Sequence, residues 1–132
     1  MQQLMKLWLH KFNQWTKSIW PALIWSAFVF VVLMIPADKL PDENIIRIPY
    51  FDKYVHFFLF CKLSFFWLKY IQQKKSSNTS VIVAVVLIQF FYGIVIECLQ
   101  MSVQRQFDLI DICSNLLGIL FSVIMYKRKR SL

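Results

Sequence analysis

Four apolar runs, joined by short polar connections, most constrain what this chain can fold into. They cover residues 16–35, 54–71, 80–99 and 109–126. At 1.5 Å per residue, helices of 18–20 residues reach about 27–30 Å, close to the thickness of a bilayer's hydrocarbon core. The backbone must satisfy its own hydrogen bonds there, so such runs are helices. A small soluble domain is mostly surface and needs more polar cover than 17% charged residues against 58% hydrophobic ones can give. Disorder is excluded by the same hydrophobicity, and three scattered cysteines do not make a disulfide scaffold. The reading is an all-α polytopic membrane protein, an antiparallel four-helix transmembrane bundle over residues 16–126. Residues 1–15 form a basic, amphipathic flank, with Leu4, Leu7, Trp8 and Phe12 on one face, suited to a short interfacial helix or an extension of the first span. Residues 127–132 form a basic tail. The first run starts too far into the chain, and lacks the small-residue cleavage pattern, to read as a removed signal peptide.

Charge placement orients the spans. Lys6, Lys11, Lys17, Lys69, Lys74, Lys75, Lys127, Arg128, Lys129 and Arg130 fall on one side. Lys39, Arg47, Lys53 and Arg105 share the other with all seven acids: Asp38, Asp42, Glu43, Asp52, Glu97, Asp108 and Asp111. The positive-inside rule then puts both termini in the cytoplasm. The net charge of +8 is a topology signal and an attraction to anionic lipid, and no nucleic-acid partner is expected. Lys62, inside the second run, is expected to snorkel toward the inner interface, and His10 to be an interfacial polar residue.

Polar residues converge at the outer ends of three runs. Asp52, Lys53 and His56 open the second, with Asp52 and His56 four apart on one face. Gly93, Glu97 and Gln100 close the third at i, i+4 and i+7. Arg105 precedes the fourth, where Asp108, Asp111, Asn115, Gly118 and Ser122 form one narrow stripe. Gly93, Gly118 and Ser122 are small enough for close helix packing. Ionisable groups at membrane depth face the interior and pair, or serve a function.

Both outcomes are open. As a lock, Arg105 pairs with Glu97 or Asp108, and His56 donates to Asp111. As a site, His56, Glu97, Asp108 and Asp111 are the catalytic candidates, with the imidazole moving a proton and a carboxylate orienting it. Asp52, Lys53, Gln100, Arg105 and Asn115 are the binding candidates, Arg105 suiting an anionic group such as phosphate. No HExxH or CxxC spacing occurs, so no metal site is assigned. A divalent cation held by His56, Glu97, Asp108 and Asp111 is the chemical alternative. Cys61, Cys98 and Cys113 read as packing residues, with a Cys98 thiolate near Glu97 and His56 the sharper option. No GxSxG occurs, and Ser64, Ser80 and Ser114 read as helix or turn residues.

The ordered set resembles the VanZ-like family of small bacterial membrane proteins. Its DKxxHF box matches Asp52-Lys53-Tyr54-Val55-His56-Phe57, and its GxxxExxQ stretch matches Gly93 through Glu97 to Gln100. The Arg, the two Asp residues three apart and NxxG follow as Arg105, Asp108, Asp111, Asn115 and Gly118. Ser122 stands where a small residue, usually Gly, is common. The match runs from Asp52 to about Ser122. The resemblance implies four spans and residence in the bacterial inner membrane. Combined with the outward polar cup, it suggests a lipid head group or lipid-linked cell-envelope precursor as ligand, held by a binding module or modified by a membrane enzyme.

Overall fold

In the computed structural model, residues 1–39, 49–74 and 78–130 are described. They form α1 (Gln2–Lys17), α2 (Trp20–Leu33), α3 (Phe51–Gln73), α4 (Thr79–Gln100) and α5 (Leu109–Arg130). Single 3-10 turns occur at Ala37–Lys39 and Met101–Val103. Asp42, Glu43, Arg47 and Lys75, which enter the charge split, lie outside the described residues.

Local chemistry sets the helix ends. The expected first span, 16–35, is broken: Ser18 adopts an extended conformation (φ −74°, ψ 168°), and α2 restarts with Pro21 in its first turn, where a missing N–H costs least. The 14 residues of α2 therefore reach only about 21 Å. Asn78 caps α4 by accepting the Val81 N–H at 3.0 Å, and Asp108 accepts the Ile110 N–H at 2.8 Å at the start of α5. Between α4 and α5 the chain turns sharply. Gln104 is left-handed (φ 62°), and the Arg105 N–H returns to the Gln100 carbonyl at 3.1 Å.

Successive helices from α2 to α5 reverse direction. Gln100 Nε2, at the end of α4, donates to the last carbonyl of α2, Leu33, at 2.7 Å. Further in, Tyr92 donates to the Ser26 carbonyl at 2.6 Å, so α2 and α4 run parallel. Across α2 and α3, Trp25 Nε1 donates to the Leu59 carbonyl at 3.0 Å and Trp67 Nε1 to Ser26 Oγ at 3.2 Å. Ser64 donates to Gln89 Oε1 between α3 and α4. A cluster of Val29, Leu33, Phe60, Leu63, Ile96 and Ile119 fills the space among the four helices.

The polarity is inverted relative to a soluble protein. On α4, Gln89, Gly93, Glu97 and Gln100 are buried while Leu87, Ile88, Phe91 and Val95 are exposed. On α5, Asp111, Asn115 and Ser122 are buried while Leu117, Phe121 and Ile124 are exposed. A broad exposed apolar surface of this kind marks contact with lipid or another apolar partner. Thr79–Val103 and Leu109–Arg128 are each long and apolar enough to cross a membrane. The Lys62 ammonium lies over the Trp25 ring, 4.4 Å from the centroid, where the ring face attracts a cation.

The tightest approach joins α3 and α5. A Cβ added at Gly118 would sit 2.3 Å from the Phe57 carbonyl oxygen and 3.0 Å from the Cys61 nitrogen, both backbone atoms. One at Gly93 would meet the Asn115 amide at 3.0 Å and the Phe60 ring at 3.2 Å, the ends of side chains that can shift. Gly118→Ala is expected to cost about 1–3 kcal/mol and Gly93→Ala less, read by denaturant titration in detergent micelles. Equal stability of Gly118→Ala and wild type would refute the close approach.

Candidate functional site

The polar cluster forms where the first turns of α3 and α5 meet the last turns of α4. Asp52 and Asp111 lie in first turns, where helix dipoles favour negative charge. Glu97 sits near the less favourable C-terminal end of α4. It is held there by the Asp108 backbone N–H, which donates to Glu97 Oε1 at 2.8 Å.

Two cations cross-link the acids. Lys53 Nζ donates to Asp108 Oδ2 and lies 2.7 Å from Asp111 Oδ1, tying α3 to α5. Arg105 Nη2 reaches both oxygens of Asp52, at 2.9 and 3.0 Å, closing the α4–α5 connection onto α3. The sequence offered Glu97 or Asp108 as the partner of Arg105; the structure gives it Asp52.

His56 lies at the centre and is fully buried. Its Nδ1 is 3.0 Å from Asn115 Oδ1. With the Asn115 amide in this orientation its oxygen accepts and Nδ1 donates, while Asn115 Nδ2 is itself buried without a partner among the described residues. Nε2 lies 3.8 Å from Asp111 Oδ2 and 4.0 Å from Asp52 Oδ1, beyond hydrogen-bond distance, and makes no hydrogen bond among the described residues. The expected His56 donation to Asp111 is thus replaced by one to Asn115. Glu97 Oε2 is also buried without a hydrogen bond. Glu97 lies within electrostatic reach of Asp111, His56 and Arg105.

Every polar candidate read from the sequence is therefore gathered here except Gln100. That residue is buried beside the cluster but spends its amide on the end of α2. Gly93 packs against the Asn115 amide, and Gly118 and Ser122 lie further along the α3-facing side of α5. Cys98 and Cys113 are exposed, whereas Glu97 and Asp111 are buried. The potential ligand atoms that come together are those of Asp52, His56 and Asp111, all within 4.8 Å of one another. This set differs from the His56, Glu97, Asp108 and Asp111 grouping: Asp52 takes part, and Glu97 and Asp108 are not within that mutual distance.

The sequence reading missed the Ser64–Gln89 pair, buried deeper between α3 and α4. Its signal was available. Gln89 is a lone amide in an apolar run, four residues before Gly93 and on the same stripe.

Lipid-type apolar faces around an ion-paired polar interior define a helical membrane protein. A family model, VanZ/LLP1, matches residues 3–130, and the chain belongs to that family. An uncharacterised protein of Schizosaccharomyces pombe is 32% identical over 108 residues, which cover 76% of this chain. The match spans 64% of that relative's length. No solved structure matches.

The Lys53 ammonium, with the Ile110 N–H, holds the Asp108 carboxyl below its ordinary value of 3.8. A group with a lowered folded-state pKa adds stability that is fully present above its unfolded value and lost as pH falls through the folded one. Wild type should therefore lose stability more steeply than Asp108→Asn as pH falls below 3.8, in acid unfolding monitored by circular dichroism. Parallel acid limbs would show that the Lys53 contact is not formed.

Proposed function

We propose that the chain crosses a bacterial cytoplasmic membrane four times, through α2 to α5, with both ends inside. Its polar cluster engages the head group of a lipid or lipid-linked envelope precursor at the outer face. The observation that carries the site reading is the fully buried His56, oriented by Asn115, with Nε2 directed at two carboxylates and unbonded. A lock needs no such group. The orientation is supported by the reversal of the helices, which sends the start of α2, the α3–α4 turn and the end of α5 to the end remote from the cluster. Lys69, Lys74, Lys127 and Arg128 of the inner set lie toward that end. The exposed apolar side chains of α1, including Leu4, Trp8 and Phe12, support an interfacial position for it.

Arg105 is committed to Asp52, so head-group contact in this reading falls to the cluster as a whole rather than to a free guanidinium. A catalytic version is favoured by the oriented imidazole. His56 would move a proton on the ligand, and Glu97 Oε2 would stabilise the charge that forms.

Cysteines placed by Asp38→Cys and Lys74→Cys, in a background lacking the native three, test the topology. An impermeant reagent outside the cell should label position 38 and spare 74; the converse pattern overturns the orientation. Lipid and precursor profiling by mass spectrometry tests the ligand, comparing wild type, His56→Gln and Asp111→Asn at matched membrane levels. Purified wild type should retain a lipid that both variants lose. A new covalent species absent from both variants would establish the catalytic version. Indifference of lipid content and envelope chemistry to both substitutions would reject either one.

A further inference from the structure

The cluster contains four carboxylates, Asp52, Glu97, Asp108 and Asp111, against two permanent cations, Lys53 and Arg105. With His56 neutral and all four carboxyls ionised, two negative charges would be left in excess in a setting where isolated charge is costly. The excess is focused on one spot. Lys53 sits on Asp111 Oδ1, leaving Asp111 Oδ2 to face His56 Nε2 at 3.8 Å. Arg105 holds the Asp52 carboxylate, whose Oδ1 faces the same nitrogen at 4.0 Å. The lone pair of a neutral imidazole between two carboxylate oxygens has no donor to accept from, and their juxtaposition is repulsive unless a proton or a metal ion lies between them.

We infer that Asp52, His56 and Asp111 bind a divalent transition-metal cation, through His56 Nε2 and one oxygen from each carboxylate. Ligands about 2.1 Å from an ion stand roughly 3.0–3.4 Å apart, so the two contacts to Nε2 need close by only about 0.4–1.0 Å. Asp52 has room to move, since its side chain is 44% exposed.

The surroundings match what metal ligands require. A ligating histidine donates its other ring N–H to an oxygen, as His56 Nδ1 does to Asn115. Ligating carboxylates are themselves held by donors, as Asp52 is by Arg105 and Asp111 by Lys53. One imidazole with two carboxylates selects a first-row divalent ion, such as Mn2+, Fe2+ or Zn2+, over Ca2+ or Mg2+, which prefer all-oxygen sets. Three protein ligands leave positions open for water or for a ligand oxygen. The cation site does not rest on the lipid reading, and its test contains no lipid substrate.

Co2+ is the probe, because its visible d–d bands report nitrogen and oxygen ligation and a near-ultraviolet thiolate charge-transfer band reports cysteine. The full chain is purified in detergent, stripped with chelator and titrated with Co2+. Wild type should take up about one Co2+ per chain with d–d bands and no thiolate band. His56→Gln and Asp52→Asn should each bind at least about tenfold more weakly. Circular dichroism and size-exclusion elution check folding. If His56→Gln misfolds, Asp52→Asn, at a half-exposed position, decides. Absence of saturable binding by wild type, a thiolate band, or undiminished binding in a folded variant each overturns the proposal.

Discussion

The contact between α3 and α5 at Gly118 determines where every polar group of the cluster can be. Without a Cβ there, the Phe57–Cys61 backbone comes against α5 and the two helices run parallel in close register. One turn toward the cluster, this register sets His56 against Asn115, and a further turn sets Lys53 against Asp108 and Asp111. Apolar attraction between helices is weak in lipid, so close van der Waals contact and interhelical hydrogen bonds must hold the structure together. Gly118 supplies the first and thereby makes the second possible. A side chain at this position would separate the helices and lengthen both sets of contacts.

Inverted polarity is the second constraint, and it made much of the fold legible. On α4 and α5, polar and small residues recur on one face among large apolar ones. That pattern specifies both the helix and its buried side. The break between α1 and α2 falls where hydropathy changes: Thr16, Lys17 and Ser18 are polar, and the uncharged apolar run begins at Ile19. Extending that run back to Thr16 to reach bilayer length carried the expected span across the break. The membership of the cluster was legible because spacing fixes the face and sequence order fixes the depth.

The pairings within the cluster were not legible, because they depend on angles that helical arithmetic does not contain. Arg105 lies in a turn, and its choice of Asp52 over Glu97 or Asp108 follows from how the left-handed Gln104 redirects the chain toward α3. Glu97 Oε1 is engaged by the Asp108 backbone N–H, a donor invisible to any reading of side-chain types. Asp52, four residues before His56 on the same helix, is the acid that joins His56 and Asp111.

These contacts bear on the proposal that the centre is more than a fastening. A buried polar atom without a hydrogen bond costs about 1–3 kcal/mol, and apolar packing of similar volume would hold the helices without that cost. Lys53 and Arg105 each join acids across elements, and the Asn115 and Asp108 side-chain oxygens accept from donors nearby. Unmet capacity remains in the interior, at His56 Nε2, Glu97 Oε2, Asn115 Nδ2 and Gln100 Oε1. It lies among the four carboxyls, beside an imidazole whose other nitrogen is already engaged by Asn115. Ion-paired cross-links around a carboxyl-rich, unsatisfied centre are the arrangement expected under the proposal that the missing partner comes from outside the chain.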